Sequence, residues 1–467
     1  MRSFALVAAS ILALLPGAPM AADPVDGLWR SQGYGYVFEI QGSTLKTFEV
    51  TDTTCVAGRT AQRRATAVPG TDATFAADAE GDVLLVRTSG SRDHKLLHVE
   101  GAASDIRIDR VPNLPAACHG LTPDTPIDNF EVFSRTWGEH YISFDLKRAN
   151  WNTIVAGNRP KVKAETTPGE LFDILRSMIE AFGDAHTFIA APSSKQRFQG
   201  MRPGTDRVAT ARGGFDAFHG KGMHDLLSTT DRAYVKGPLR RFCNDQIEYG
   251  HVDDGTGYLR IWSFSGYSQQ RGFEAGEKAL EAALDEIFAD AKLQALVIDV
   301  RINFGGDDPY GLEIASRLAD KEYLAYTKYA RAHATDRSKW TPGDPSVVRP
   351  SSRPGFRGPI VELTGPLTIS AGETFTQALM GRTPHVTRVG ESTQGVFSDV
   401  LVRRLPNGWR FGLPNEVYRT PQGTAFDGPG ISPDIRVPVF ADADASAGKD
   451  PAMAKAIEIL RKGAGSR

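Results

Sequence analysis

GPIVELTGPLTISAGETFTQALMGRTPHVTRVGESTQGV, residues 358–396, decides how the chain is read. Pro359-Ile360-Val361-Glu362-Leu363 is a short apolar run with the β-branched content of a buried strand. After a turn, Ser370-Ala371-Gly372-Glu373 leads into a segment where Phe375, Ala378 and Leu379 fall at i, i+3 and i+4. That spacing predicts a short amphipathic helix stopping near Gly381. Ser370 therefore stands where a strand turns into a helix, and two roles fit that place. Ser370 and Glu373 have the S-x-x-E spacing of a capping box, which satisfies free N–H groups at a helix start. A hydroxyl at a helix N-terminus also has backbone N–H donors beside it, which suit a nucleophile that must hold an oxyanion. The segment alone leaves both open.

Three more stretches bear on the choice: Gly183-Asp184-Ala185-His186-Thr187, Asp299-Val300-Arg301-Ile302-Asn303-Phe304-Gly305-Gly306, and Gly428-Pro429-Gly430-Ile431-Ser432-Pro433-Asp434-Ile435. With Ser370-Ala371-Gly372-Glu373 they resemble, in order, motifs of the tail-specific and tricorn-like serine peptidases. These are the G-D-x-H-T of the tricorn-like branch, D-x-R-x-N-x-G-G, the S-A-x-E nucleophile turn, and a closing G-x-G-I-x-P-D-I. Each is weak alone; four in order are specific.

The resemblance implies an α/β (α+β) protein with a ClpP/crotonase-like β-β-α core. It implies a serine endopeptidase working through an acyl-enzyme on Ser370. The oxyanion donors are then the N–H of Ala371 and a glycine N–H at Gly305-Gly306, where missing side chains let backbone approach a ligand. Phe304 stands where the family often has a third glycine. In the tail-specific branch the base is a lysine in a G-K-G segment, but here Gly395-Val396-Phe397 occupies that place, with no Lys or Arg from Val389 to Leu401. The departure favours the His-based branch, with His186 as general base. Ala185 replaces that branch's serine, and Asp427 matches its glutamate, with Asp184 as runner-up for the orienting acid. The alternatives are an inactive peptide- or lipid-binding module of the same fold, and an acyl hydrolase that is not a peptidase.

At 467 residues the chain has room for several domains, and its net charge of −2 gives no pull toward nucleic acid. Residues 1–22 read as a signal peptide: Arg2, an apolar run from Phe4 to Leu15, then small residues to Ala22. The expectation is a periplasmic or secreted protein with no membrane span after cleavage, a peptide or protein substrate, and no cofactor. No C-x-x-C or His cluster with metal spacing is present, which argues against zinc. Of Cys55, Cys118 and Cys243, the first two share a predicted domain and are the preferred disulfide pair.

Outward from the core, 23–121 is β-like, a small sheet or barrel read as a packing domain. Residues 122–195 are helical, with Phe130, Phe133, Trp137 and Tyr141 on one stripe and a capping box at Thr167–Glu170. The peptidase core is placed at 196–445 and a last helix and tail at 446–467. Between Pro192 and Asn244, where many relatives hold a PDZ domain, neither its signature loop nor its periodicity is found. Val400 to Leu413 reads as a hairpin about Asn407-Gly408.

Overall fold

A computed structural model describes residues 24–66, 68–77, 83–211, 213–214 and 223–464. The predicted signal segment lies outside them. No helix among the described residues is long and apolar enough to cross a membrane.

The chain begins with a closed barrel of eight antiparallel strands, from Gly27–Ser31 to Asp105–Val111. Each strand pairs with the next, and the first closes on the last through Trp29↔Arg110. Period-two alternation turns Trp29, Phe38, Ile40, Leu45, Phe75, Val86 and Ile108 inward, where they are buried. A disulfide joins Cys55, at the start of a barrel strand, to Cys118 just beyond the barrel. Cys243 is a buried free thiol.

Helices Pro126–His140, Trp151–Asn158 and Pro168–Ile179 follow. The capping box at Thr167 and Glu170 is formed, and Pro168 opens the helix behind it. The aromatic stripe is core: Phe130, Phe133, Trp137 and Tyr141 are all buried. It packs against a four-stranded sheet ordered Gln196–Gln199, Phe188–Ala191, Arg410–Pro414, Val400–Arg404. Ring centroids of Phe133 and Phe411 lie 5.0 Å apart across that contact. The last two strands are the expected hairpin, with Gly408 in the left-handed conformation its turn needs.

The central sheet has seven strands, in the order Lys236–Phe242, Ile247–His251, Thr256–Ile261, Ala295–Asp299, Ile360–Thr364, Thr387–Gly390, Ile435–Arg436. The first three are antiparallel and the rest parallel. Its central parallel strands, Ala295–Asp299 and Ile360–Thr364, are buried throughout, in keeping with their mostly apolar sequences ALVID and IVELT. Leu296 and Ile298 face one core with helices Phe273–Phe288, Asp308–Leu318 and Ala371–Leu379. Val297 and Val361 face the other, under helix Pro451–Ala464. That last helix is pinned by a buried ion network: Arg301 donates to Asp450 at 2.8 Å and to Asp299 at 2.7 Å. The first and third residues of the Asp299–Gly306 motif are thus scaffold.

Candidate active site

Ser370 ends the segment after strand Ile360–Thr364 and immediately precedes helix Ala371–Leu379. Its backbone is at φ 54°, ψ −120°, a conformation costly for any residue with a side chain, and its hydroxyl makes no capping bond. Glu373 does not serve Ser370's hydroxyl either. Its carboxylate accepts from the N–H groups of Gly395 and Val396, at 2.6 and 2.7 Å. Burial pushes Glu373 up to about 7, against those stabilising bonds. The residues where the tail-specific lysine would stand are therefore fastened through their backbone N–H groups to the helix that follows Ser370, and the Val396 carbonyl in turn accepts from the N–H of Ser370 at 3.2 Å.

The glycine turn reaches Ser370 through a two-residue parallel pairing, Ile302↔Leu367 and Asn303↔Thr368. Gly305 and Gly306 both have positive φ, 85° and 132°. A Cβ on Gly305 would come within 2.7 Å of Ser370 Cβ and 3.1 Å of the Ala371 nitrogen. The two predicted glycine donors are not equivalent. Gly305 donates its N–H to Asn303 Oδ1 at 2.9 Å, and Asn303 Nδ2 donates to the Ile261 carbonyl. The N–H groups of Gly306 and Ala371 have no backbone acceptor among the described residues.

His186 lies on the turn between helix Pro168–Ile179 and strand Phe188–Ala191. Asp184 holds that turn: its carboxylate accepts from the N–H of His186 at 3.1 Å and from the Tyr141 hydroxyl at 3.0 Å. His186 lines a cleft of about 570 Å³ with Phe304, Ile369 and Gln394, so the histidine and the residue just before Ser370 share one cavity. Burial lowers its pKa, opposed by Asp184, Asp399 and the Ser398 carbonyl. Its Nδ1 is buried without a partner.

Asp427 is close by but not joined to the imidazole. One oxygen accepts from the Phe397 N–H at 3.4 Å and the other is buried and unpartnered. Burial, with Glu373 and Asp184 nearby, pushes Asp427 up to about 7. Two groups bearing on this cluster were not foreseen from sequence. Asp399 interacts electrostatically with His186 and is salt-bridged to Lys328 at 2.8 Å. Lys147 feels both Asp184 and Asp427. Neither belongs to a motif; only the fold brings them here. Among the described residues no group of three or more His, Cys, Asp or Glu is placed to hold a metal ion.

A serine at a helix start, a glycine turn pressed against it and a largely parallel sheet between helices characterise this α/β fold. Residues 255–437 match peptidase family S41. The chain is 26% identical over 227 residues to a carboxy-terminal-processing protease of Bartonella bacilliformis, covering 48% of this chain and 49% of that protein. It is 28% identical over 237 residues to the chloroplastic carboxyl-terminal-processing peptidase 2 of Arabidopsis thaliana, covering 49% and 41%. The chain thus spans about half the length, or less, of the curated relatives it matches. Among solved structures, a candidate peptidase from Parabacteroides merdae superposes with a TM-score of 0.59 at 24% identity, over 72% of this chain and 97% of the other. Mature CPAF superposes with a TM-score of 0.51 at 13% identity, over 69% and 94%. At these identities the structural likeness speaks for the fold.

Proposed function

We propose that the chain is an exported serine endopeptidase that hydrolyses peptide bonds through an acyl-enzyme on Ser370. The observation that carries the reading is the state of that serine. It stands at a helix N-terminus on costly backbone, next to the Ala371 N–H, which has no backbone acceptor among the described residues, and its hydroxyl does no capping. A structural cap has no use for such strain, whereas a nucleophile held for attack does.

In this reading Ser370 Oγ attacks the scissile carbonyl and passes its proton to His186. The charge that develops on the carbonyl oxygen is received by the N–H groups of Ala371 and Gly306. Gly305 lets the turn come close, its own N–H committed to Asn303. His186 then protonates the leaving amine, and a water activated by the same imidazole hydrolyses the ester. Asp184 and Asp399 provide the negative field that favours the imidazolium, and Asp427, the family-matched acid, keeps one oxygen available as an acceptor. A peptide laid in the cleft runs beside Gln196–Gln199, the edge strand of its sheet, where main-chain pairing can hold it extended. Export rests on the signal pattern of residues 1–22 and agrees with a disulfide between Cys55 and Cys118.

The test is labelling with a fluorophosphonate followed by peptide mapping. Label on Ser370, absent from Ser370→Ala and lost in His186→Ala, is expected. A correctly folded protein that takes no label would return the position to a structural role.

A further inference from the structure

Arginine keeps its charge at any ordinary pH, so a guanidinium buried without a carboxylate must find its counter-charge elsewhere. Arg331 is such a group. It follows strand Tyr323–Ala330 and is 3% exposed. Its Nη1 donates to the Tyr141 carbonyl at 2.8 Å. Nε and Nη2, which share one edge of the guanidinium, are buried with no partner among the described residues. The two carboxylates whose charge reaches Arg331 are engaged elsewhere: Asp145 pairs with Arg337 at 3.5 Å, and Glu139 accepts from the Asp52 N–H at 2.9 Å. Burial also pushes Glu139 up to about 7, so near neutrality it carries only part of its charge. Left with so little compensation, Arg331 is pulled down to about 10, by burial first and then by Arg337.

Arg331 shares a cavity of about 370 Å³ with Arg30, Glu139 and His140. At ~30 Å³ per water this holds roughly twelve waters, enough space for a small hydrated ion. The cavity lies between the first barrel strand, the end of helix Pro126–His140 and the segment after Ala330. His140 is 6% exposed, and neither of its ring nitrogens has a partner among the described residues. Burial, then Arg403 and Arg331, keeps the ring neutral, which leaves it one N–H to donate. Gly35 packs so closely on the ring that a Cβ there would come within 2.6 Å of Nε2. Arg30 is exposed on the same wall and adds a charge that draws anions inward. Two buried side chains thus bring unanswered N–H donors to one chamber. The Nε–Nη2 edge is the one that grips two oxygens side by side.

We propose that this cavity binds a small tetrahedral oxyanion, two of its oxygens on the Nε–Nη2 edge of Arg331 and a third on His140. The site is separate from the Ser370 cleft, and its test reads no peptidase activity, so it stands or falls independently of the proposed reaction.

The experiment is calorimetric titration of the full mature chain with inorganic phosphate at constant ionic strength, beside acetate and chloride. One phosphate per chain is expected, with acetate and chloride at least tenfold weaker. Arg331→Met should abolish binding, and Arg30→Glu, at an exposed position, should weaken it at least fivefold. Phosphate should also raise the melting temperature of the parent and leave that of Arg331→Met unchanged. Thermal melts establish that each variant is folded; Arg331→Met decides if it folds, and Arg30→Glu decides if it does not. No saturable phosphate binding, equal binding of acetate or chloride, or binding unchanged in the deciding variant overturns the proposal.

Discussion

Gly305 and Ser370 are in such close apposition that a methyl group on the glycine would sit 2.7 Å from the serine's Cβ. No real side chain tolerates that separation, and the positive φ of Gly305 adds strain to the clash. Gly305→Ala should therefore push the turn away from Ser370 and misplace the Gly306 donor. A loss in kcat/KM of roughly 10²-fold or more is expected, the scale of a lost oxyanion donor, together with a lower melting temperature. Steady-state kinetics and a thermal melt measure both; full activity at an unchanged Tm would remove the turn from the site.

Ser370 offers a sharper contrast. Its φ of 54° favours glycine, and its hydroxyl contributes no cap. Ser370→Gly should be inactive yet as stable as the parent or more so, by about 1 kcal/mol, as strain is released. Ser370→Ala should keep the strain and change stability little. Denaturant unfolding of the two variants decides. A loss of ~1 kcal/mol in Ser370→Ala, the usual cost of a missing cap, would speak for the structural role instead.

For His186 the sign of the pH dependence follows from its surroundings. Burial favours the neutral ring, so its pKa lies below the ordinary value near 6.5. A general base works in its neutral form, so kcat/KM should hold through pH 7 and fall only below about 6.5. The pH–rate profile tests this. An acidic limb centred above 6.5 would point to another base.

Asp427 titrates in the opposite sense. Its folded pKa, about 7, lies above the ordinary 3.8, so the unfolded chain releases this proton more readily than the folded one. The associated stability is fully present below the ordinary value and is lost as pH rises toward about 7. Asp427→Asn should consequently raise the melting temperature at pH 8 and change it little at pH 4. Melting curves at the two pH values give the comparison; the same shift at both would mean that charge is not what the site resists.

The parts legible in the sequence were those set by neighbours in the chain. The strand–serine–helix turn at Ser370, the capping box at Thr167 and the hairpin about Gly408 each follow from spacing within one segment, and all three elements formed. The preferred pairing of Cys55 with Cys118 also formed. The barrel was only half visible. Strand Ser91–Val99, SRDHKLLHV, is polar over its first four residues, all of them exposed, and no apolar run or alternation marks that half. The contents of the site depended on longer reach. Asn303 claims the Gly305 N–H, and Asp399 acquires its meaning from Lys328, 71 residues away in the chain. No periodicity encodes such pairings, since they exist only once the sheets have assembled.

The hairpin Val400–Pro414 makes the barrel and the peptidase core indivisible as pieces of protein. One side of it closes the barrel mouth, and Arg403 stacks on Tyr36 at 4.1 Å. The other side pairs Gly412 with Phe188, two residues beyond His186. Just past it, Glu416 receives the Tyr34 hydroxyl at 2.6 Å beside the buried Lys328 ammonium. A fragment cut at the end of the barrel would open the hairpin's back to water and strip a buried ion pair of its neighbour. The smallest unit able to fold and keep its histidine in place is therefore larger than the family-matched segment 255–437, and a boundary drawn by homology alone would divide a single cooperative body.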